Sequence, residues 1–233
     1  MNTTGATKTR NRRRRILALA AGVGVLGLGA TATFAAWTDS EWIFGGNGAD
    51  AVGVATSTFE VEQSIDGATW VQEEAAPGNE VTFSPNALAL TPGDATYSGV
   101  ALRTTSDSIT GTLALNPALA ATAAQVTGVN DTDDLLFDAL LVRVATVELQ
   151  PGDPIPTCEA ATFADVAYTT SGVAAALSST GLAAETLDAE SGDVQYYCFE
   201  VSLPSPLVPA GAATVDDYMG RAVSPMWEFF GQS

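Results

Sequence analysis

The side chains that most often carry out catalysis are scarce in this sequence of 233 residues. It contains no histidine, two cysteines, and 27 acidic residues against nine lysines and arginines. The lack of histidine excludes Ser–His–Asp triads, histidine-ligated zinc sites and the HExxH peptidase motif. A serine nucleophile would need another base, and no lysine follows Lys8. We therefore expect a protein that is not an enzyme and that uses no cofactor.

Carboxylates are the one chemical group in surplus, and their densest run is Asn130-Asp131-Thr132-Asp133-Asp134. Oxygen ligands at alternate positions suit calcium, but the run lacks the spaced glycine and closing glutamate of an EF-hand loop. We favour a solvated turn and expect no metal, and calcium binding by Asp131, Asp133 and Asp134 stays open. A carboxylate pair for glycoside hydrolysis also stays open, although no pair stands out in the sequence.

The positive charges are concentrated at the N-terminus, where six of the nine precede Ile16. The apolar run ILALAAGVGVLGLGA follows at 16–30, a pattern typical of a signal peptide and short for a membrane span. Cleavage between Ala36 and Trp37 would leave a mature chain with a net charge of −24. Such a charge argues against nucleic acid binding, and we expect membrane contact only through the signal peptide. An uncleaved anchor and twin-arginine export are the alternatives.

The two cysteines, Cys158 and Cys198, are 40 positions apart. In an exported chain, two cysteines most often form a disulfide. This bridge would attach a long alanine-rich excursion to the strand that contains Cys198. Two free buried thiols are the alternative.

Short stretches of β-branched and aromatic residues, separated by glycine and proline, indicate strands along the rest of the chain. The predicted strands are 52–62, 81–83, 97–105, 109–116, 139–149, 194–203 and 222–230. We predict that 97–105 and 109–116 form a hairpin. The alanine-rich stretches 117–126 and 172–184 are predicted to be a short helix and a short helix or loop insert, respectively. This pattern favours an all-β sandwich with short helical inserts over an α/β enzyme.

The junction Ala32-Thr33-Phe34-Ala35-Ala36-Trp37-Thr38-Asp39-Ser40-Glu41 resembles the processing region of proteins released by the SipW-type signal peptidase. Camelysin and the TasA-type biofilm matrix proteins belong to this family. Leu90-Thr91-Pro92-Gly93-Asp94 is similar to the family's L-x-P-G-D turn, and Tyr218-Met219-Gly220-Arg221 is similar to its closing Y-x-G. The cysteine pair and the proline-rich stretch 204–209 depart from the TasA pattern and are closer to high-GC Gram-positive relatives.

The resemblance implies a jelly-roll β-sandwich, export across the cytoplasmic membrane and processing by the dedicated peptidase. It also implies, for TasA-type members, polymerisation in which the mature N-terminus of one subunit completes the sheet of the next. The corresponding segment here is 37–54, which contains Trp37, Trp42, Ile43 and Phe44. From the residues alone we favour packing of these side chains on their own domain, and donation to a neighbouring subunit is the alternative.

Together, these observations predict three parts: a signal peptide (1–36), a mature N-terminal segment (37–54) and a β-sandwich domain (55–233). We expect a secreted, non-catalytic structural protein of the cell surface or biofilm matrix, acting as a fibre subunit. Its expected partners are the SipW-type signal peptidase and further copies of itself. The main alternative is a monomeric binding or adhesion module on the same fold. A secreted hydrolase would require a carboxylate pair in one cleft.

Overall fold

The structure is a computed structural model that describes residues 55–179 and 182–233. The predicted signal peptide and the segment 37–54 lie outside these residues, and so do Ala36, Trp37, Trp42, Ile43 and Phe44. Antiparallel strands dominate the described part, which confirms the predicted all-β fold.

The strands differ greatly in length, and three long ones form the centre of the fold. In chain order, they are β1 (Val61–Ser64), β2 (Ala95–Thr104), β3 (Gly111–Leu115), β4 (Leu119–Ala120), β5 (Leu141–Leu149), β6 (Thr169–Thr170), β7 (Ala175–Ala176), β8 (Glu185–Leu187), β9 (Val194–Ser202), β10 (Pro225–Met226) and β11 (Phe229–Gln232). The described helices are α1 (Leu135–Ala139) and three 3-10 turns, Ala160–Ala164, Ala189–Ser191 and Val215–Tyr218.

The large sheet has the order β1-β2-β9-β5-β6, with β7 also paired to β5. Its central strand β9 is buried on both faces. Alternate side chains point to opposite faces of a strand, so Tyr197 and Phe199 join one apolar cluster while Tyr196 and Cys198 join another. The neighbouring glycine on β2 makes room for this packing, because a Cβ on Gly99 would overlap the Tyr196 ring.

A second layer covers the inner face of the large sheet. It consists of the sheet β8-β3-β11 and the pair β4-β10. Aromatic contacts join the two layers: the ring centroids of Phe199 and Trp227 are 4.6 Å apart, and those of Tyr197 and Phe229 are 4.8 Å apart. The two layers form the β-sandwich-like arrangement that the sequence predicts.

A long connection after β5 covers the outer face of the large sheet. Phe163 and Tyr168 of this connection pack against the cluster around Tyr196. The predicted disulfide between Cys158 and Cys198 is confirmed, with Cα atoms 5.2 Å apart, and it anchors the connection to β9. Both cysteines are therefore joined, and the alternative of two free thiols is wrong.

Two local predictions on pairing and helices are wrong. Strands β2 and β3 do not form a hairpin, because β2 pairs with β1 and β9 whereas β3 pairs with β11 and β8 in the other layer. The stretch 117–126 contains β4 and turns and no helix, so that prediction is wrong, whereas the described part of 172–184 is a loop that contains β7, which agrees with the loop-insert alternative. The helical inserts are α1 and the three 3-10 turns. The high helix propensity of alanine is a weak preference, which strand pairing in the folded domain overrides.

The predicted ends of the first and last strands also need correction. β1 begins at Val61, so the described residues 55–60 of the predicted strand 52–62 precede it, although Thr58 makes an isolated bridge to Ser108. The predicted strand 222–230 is divided into β10 and β11, with Trp227 and Glu228 between them. Strands 139–149 and 194–203 match β5 and β9 closely.

Among the described residues, none of the helices has the length and apolar character required to cross a membrane.

Loss of the disulfide should destabilise the domain without changing its strand pairing. The bridge closes a loop with a sequence separation of 40 residues, and we expect Cys158→Ala with Cys198→Ala to lower the free energy of unfolding by about 3 kcal/mol. Urea unfolding of the purified protein, followed by tryptophan fluorescence, measures this loss. A variant as stable as the wild type would show that the connection is held by its apolar contacts alone.

Candidate functional site

A groove of about 980 Å³ lies at one side of the sandwich in the described part of the chain. It lies where the two layers end, since β1 is the terminal strand of the large sheet and β11 is the terminal strand of the small one. β10, which ends the third sheet, also lines it. This feature, the edge groove, is therefore bordered by strand edges from both layers.

The edge groove is lined in part by side chains that belong to the hydrophobic core. Val100, Leu102 and Phe199 line it, and each is more than nine-tenths buried. Trp227 and Phe229, whose rings lie beside Phe199, are half-buried and line it as well. Contact between apolar side chains and water is unfavourable. A ligand or chain segment with apolar side chains would remove this contact, so the groove is suited to an apolar occupant.

Backbone groups along one border of the groove have no strand partner in the described part of the chain. There, β11 pairs with β3 and β10 pairs with β4, each on one edge. On the other border, β1 is already paired outside β2 at one point, where Gln63 and Val71 exchange two backbone hydrogen bonds of 2.8 and 2.9 Å. The C-terminal strands thus provide the more open edge for a further strand.

In the wall of the groove at β11, a glycine makes room for an aromatic ring. The Phe59 ring packs against Gly231, and a Cβ at that position would approach ring atoms to 2.8 Å. Phe59 lies just after the first described residues and lines the groove. The N-terminal end of the domain and its C-terminal strand therefore meet in one wall.

The start of the C-terminal strands is fixed by an arginine clamp, formed by Arg221 with Asp131 and Asp133. Asp131 is only 4% exposed, and its carboxylate also accepts hydrogen bonds from the Leu136 and Phe137 amides at 3.0 and 2.9 Å. The two carboxylates raise the pKa of the Arg221 guanidinium, so this residue stays charged at all accessible pH values.

The stretch 130–134 contains the predicted turn with exposed side chains, except at Asp131, where the expectation of a solvated residue is wrong. Asp131 is buried and serves as an internal anion, and Asp134 adopts a left-handed backbone conformation with φ of 56° before α1. Arg221 forms ion pairs with both Asp131 and Asp133. No group of three or more metal-ligating side chains occurs within 55–179 and 182–233.

The rim of the edge groove is acidic. Glu60, Glu62, Glu73, Glu74 and Glu228 line it. Glu62 is paired with Arg103, at 2.7 Å between Oε1 and Nε, whereas Glu73 and Glu74 are exposed. An occupant therefore meets an apolar floor surrounded by negative charge.

A carboxylate pair is present elsewhere, but it does not line the groove. Burial and the neighbouring Glu148 carboxylate raise the pKa of Glu185. Neither residue lines the edge groove. Asp216 and Asp217 are exposed, and Asp217 accepts a hydrogen bond from the Thr214 amide at 2.7 Å, which lowers its pKa.

Two groups of residues singled out in the sequence form contacts in the structure. Cys158 and Cys198 form a disulfide, and Asp131 and Asp133 of the acidic run pair with Arg221. The structure leaves the segment 37–54 undescribed. The edge groove was missed because its walls come from distant parts of the chain. One signal was available: Trp227, Phe229 and Phe230 make the end of the chain unusually aromatic.

Comparison with known proteins adds no relative, since neither a protein-family model nor a curated protein matches this chain.

The clamp predicts a difference between two neighbouring aspartates. Asp131→Ala removes a buried anion that satisfies two amides and Arg221, and should lower the free energy of unfolding by about 3 kcal/mol. Asp133→Ala, at a side chain that is 60% exposed, should cost less. Thermal unfolding with and without added calcium completes the test. A calcium-dependent rise in the midpoint would contradict the assignment of these carboxylates to Arg221.

The raised pKa of Glu185 predicts that replacing this residue with glutamine stabilises the protein in a pH-dependent way. The Glu185 pKa is raised in the folded protein, so the ionised side chain opposes folding at neutral pH and the protonated one does not. Glu185→Gln should therefore increase the free energy of unfolding at pH 7, and the gain should vanish near pH 3, below the ordinary glutamate pKa. Urea unfolding at both pH values measures it, with the exposed Glu80→Gln as the control. Equal gains at both pH values would contradict this account.

Proposed function

We propose that the protein is a secreted, non-catalytic structural protein of the cell surface or biofilm matrix, of the class processed by a SipW-type signal peptidase. In this proposal it is a fibre subunit, and the segment 37–54 of one copy binds in the edge groove of the next. The observation that carries the proposal is the groove itself, which combines half-buried apolar side chains with strand edges that have room for another strand.

The chemistry of the proposed donor matches the floor of the groove. Trp42, Ile43 and Phe44 are consecutive apolar residues in a stretch otherwise rich in glycine and polar side chains. Burying each such side chain is worth about 2 kcal/mol. Val61, Trp227 and Phe229, which are half-buried and line the groove, offer apolar contacts to receive them.

The backbone of the donor would be satisfied by β-augmentation. An extended segment beside β10 and β11 would exchange main-chain hydrogen bonds with the open edge, and alternate side chains would then enter the groove. Such a donor also covers an edge that would otherwise invite uncontrolled association. Binding of the donor would therefore both extend the polymer and cover the open edge.

The proposal predicts complementation between two defective variants. Trp42→Asp with Ile43→Asp removes the donor, and Leu119→Asp with Phe230→Asp blocks the groove at side chains that are 66% and 45% exposed. Each variant alone should stay monomeric, because a charge buried against the core is costly. An equimolar mixture should form a dimer, joined by the intact donor of one variant and the intact groove of the other. Sedimentation velocity on protein exported and processed by the host measures both outcomes.

The control carries the same charges at a different surface. Leu88→Asp with Val166→Asp changes two side chains that are 99% and 101% exposed and do not line the groove. This variant should assemble like the wild type, and circular dichroism should show all variants folded. Assembly of either defective variant alone, or no dimer in the mixture, would overturn strand donation. A wild type that remains monomeric would favour the binding-module alternative.

The acidic rim predicts that assembly increases with salt. The segment 37–54 carries Asp39, Glu41 and Asp50, and it would approach the carboxylates of Glu73 and Glu74. Like charges repel less as the screening length falls from about 30 Å at 0.01 M salt to about 3 Å at 1 M. Light scattering of the exported protein over this range should show more polymer at high salt. Assembly that weakens with salt would indicate attraction between charges at the contact.

A further inference from the structure

A second concavity lies apart from the edge groove and shares no lining residue with it. This pocket has a volume of about 300 Å³ and lies between the turn 66–70 and the loop 152–155, beside β2 and β9. The two loops touch, since a Cβ on Gly67 would come within 2.7 Å of the Ile155 side chain. We refer to it as the Trp70 pocket.

The Trp70 pocket contains a rigidly held arginine. The Arg103 guanidinium carbon lies 3.8 Å from the centroid of the Trp70 ring, and Nε donates a hydrogen bond of 2.7 Å to Glu62. The two terminal nitrogens, Nη1 and Nη2, donate to no other side chain or backbone group in the described part of the chain. Stacking and the ion pair therefore orient a guanidinium whose outer N–H groups are available at the pocket.

Two carboxylates face the same space with acceptor capacity left. Asp66 Oδ1 accepts hydrogen bonds of 2.8 Å from each of the Ala68 and Thr69 amides, and these bonds lower its pKa to about 2. Asp153 Oδ2 accepts one from the Gln150 amide at 3.0 Å. The second oxygen of each carboxylate has no partner among residues 55–179 and 182–233. Both side chains are thus fixed in position by their own turns.

The polar groups of the pocket require a ligand that both accepts and donates hydrogen bonds. A hydroxyl can accept from Arg103 and donate to Asp66 or Asp153, whereas a carboxylate cannot donate and an ammonium cannot accept. Trp70, Pro154 and Ile155 supply an apolar wall for C–H groups. From this arrangement we infer that the Trp70 pocket binds a neutral saccharide, through its hydroxyls and one apolar face.

The negative charge of the Trp70 pocket favours binding of neutral saccharides over acidic ones. The pocket holds Asp66 and Asp153, and Glu62 already occupies one side of Arg103. The mature chain predicted from the sequence has a net charge of −24, these carboxylates included. A uronate would therefore be repelled, and a ligand with hydroxyls alone would not.

Titration of the exported protein with oligosaccharides tests the inference. The probes are neutral gluco-, manno- and galacto-oligosaccharides, with oligogalacturonate as the acidic counterpart. The readout is the indole N–H signal of Trp70, assigned by Trp70→Phe in two-dimensional NMR. At least one neutral probe should shift this signal saturably, and oligogalacturonate should bind more weakly.

Variants connect binding to the pocket. Arg103→Gln and Asp153→Asn should each weaken binding about tenfold, since each loses a charge-assisted hydrogen bond. Arg143→Gln is the matched control, because Arg143 pairs with Glu200 away from the pocket. No shift with any neutral probe, preference for oligogalacturonate, or unchanged binding by both pocket variants would overturn the inference. None of these outcomes depends on fibre assembly.

Discussion

The burial of β9 on both faces is the constraint that organises this domain. A strand with large aromatic side chains on both sides must be covered twice, and the two coverings are built differently. The inner face is covered by a second layer of strands, with Trp227 and Phe229 against Phe199 and Tyr197. The outer face is covered by a connection that a disulfide anchors to Cys198. The inner covering is incomplete beside β1, and the edge groove is the result.

Charge is the second organising factor. The described residues contain three arginines, and each pairs with a carboxylate: Arg103 with Glu62, Arg143 with Glu200, and Arg221 with Asp131 and Asp133. Two of the guanidiniums also stack on aromatic rings, Arg103 on Trp70 and Arg143 on Phe163. The scarce cations therefore hold elements together, and the remaining surface stays acidic. Such a surface keeps copies apart at low salt, so their association requires a specific contact.

The sequence predicts those elements whose signal is local. β5 and β9 are recognisable because continuous apolar stretches indicate strands buried on both faces, and the two cysteines pair as expected of an exported chain. The turn at 90–94 is equally local: Asp94 Oδ2 accepts from the Thr91 amide at 2.8 Å, and Gly93 has φ of 102°. Strand partners are not local. Tyr97–Thr104 suggests a strand, but nothing in its periodicity shows that it pairs with β9 almost a hundred residues later.

Contacts between distant parts of the chain also explain why the sequence did not predict the site. The burial of Asp131 depends on Arg221, 90 positions away, and the sequence alone could only present the aspartate as one of a solvated run. The groove joins the surroundings of Phe59 with those of Gly231 at opposite ends of the domain. The Trp70 pocket likewise needs two loops about 85 residues apart in the chain.

The central claim is that the groove receives the N-terminal segment of another copy, and photocrosslinking from the groove tests it most directly. A benzophenone amino acid would replace Phe230, which is part of the open edge and 45% exposed. Fibres grown from a mixture of isotopically light and heavy protein would be irradiated and digested, and the crosslinked peptides sequenced. The account predicts a peptide from 37–54, with light and heavy chains joined to each other. Crosslinks within single chains only, or to peptides outside 37–54, would contradict it.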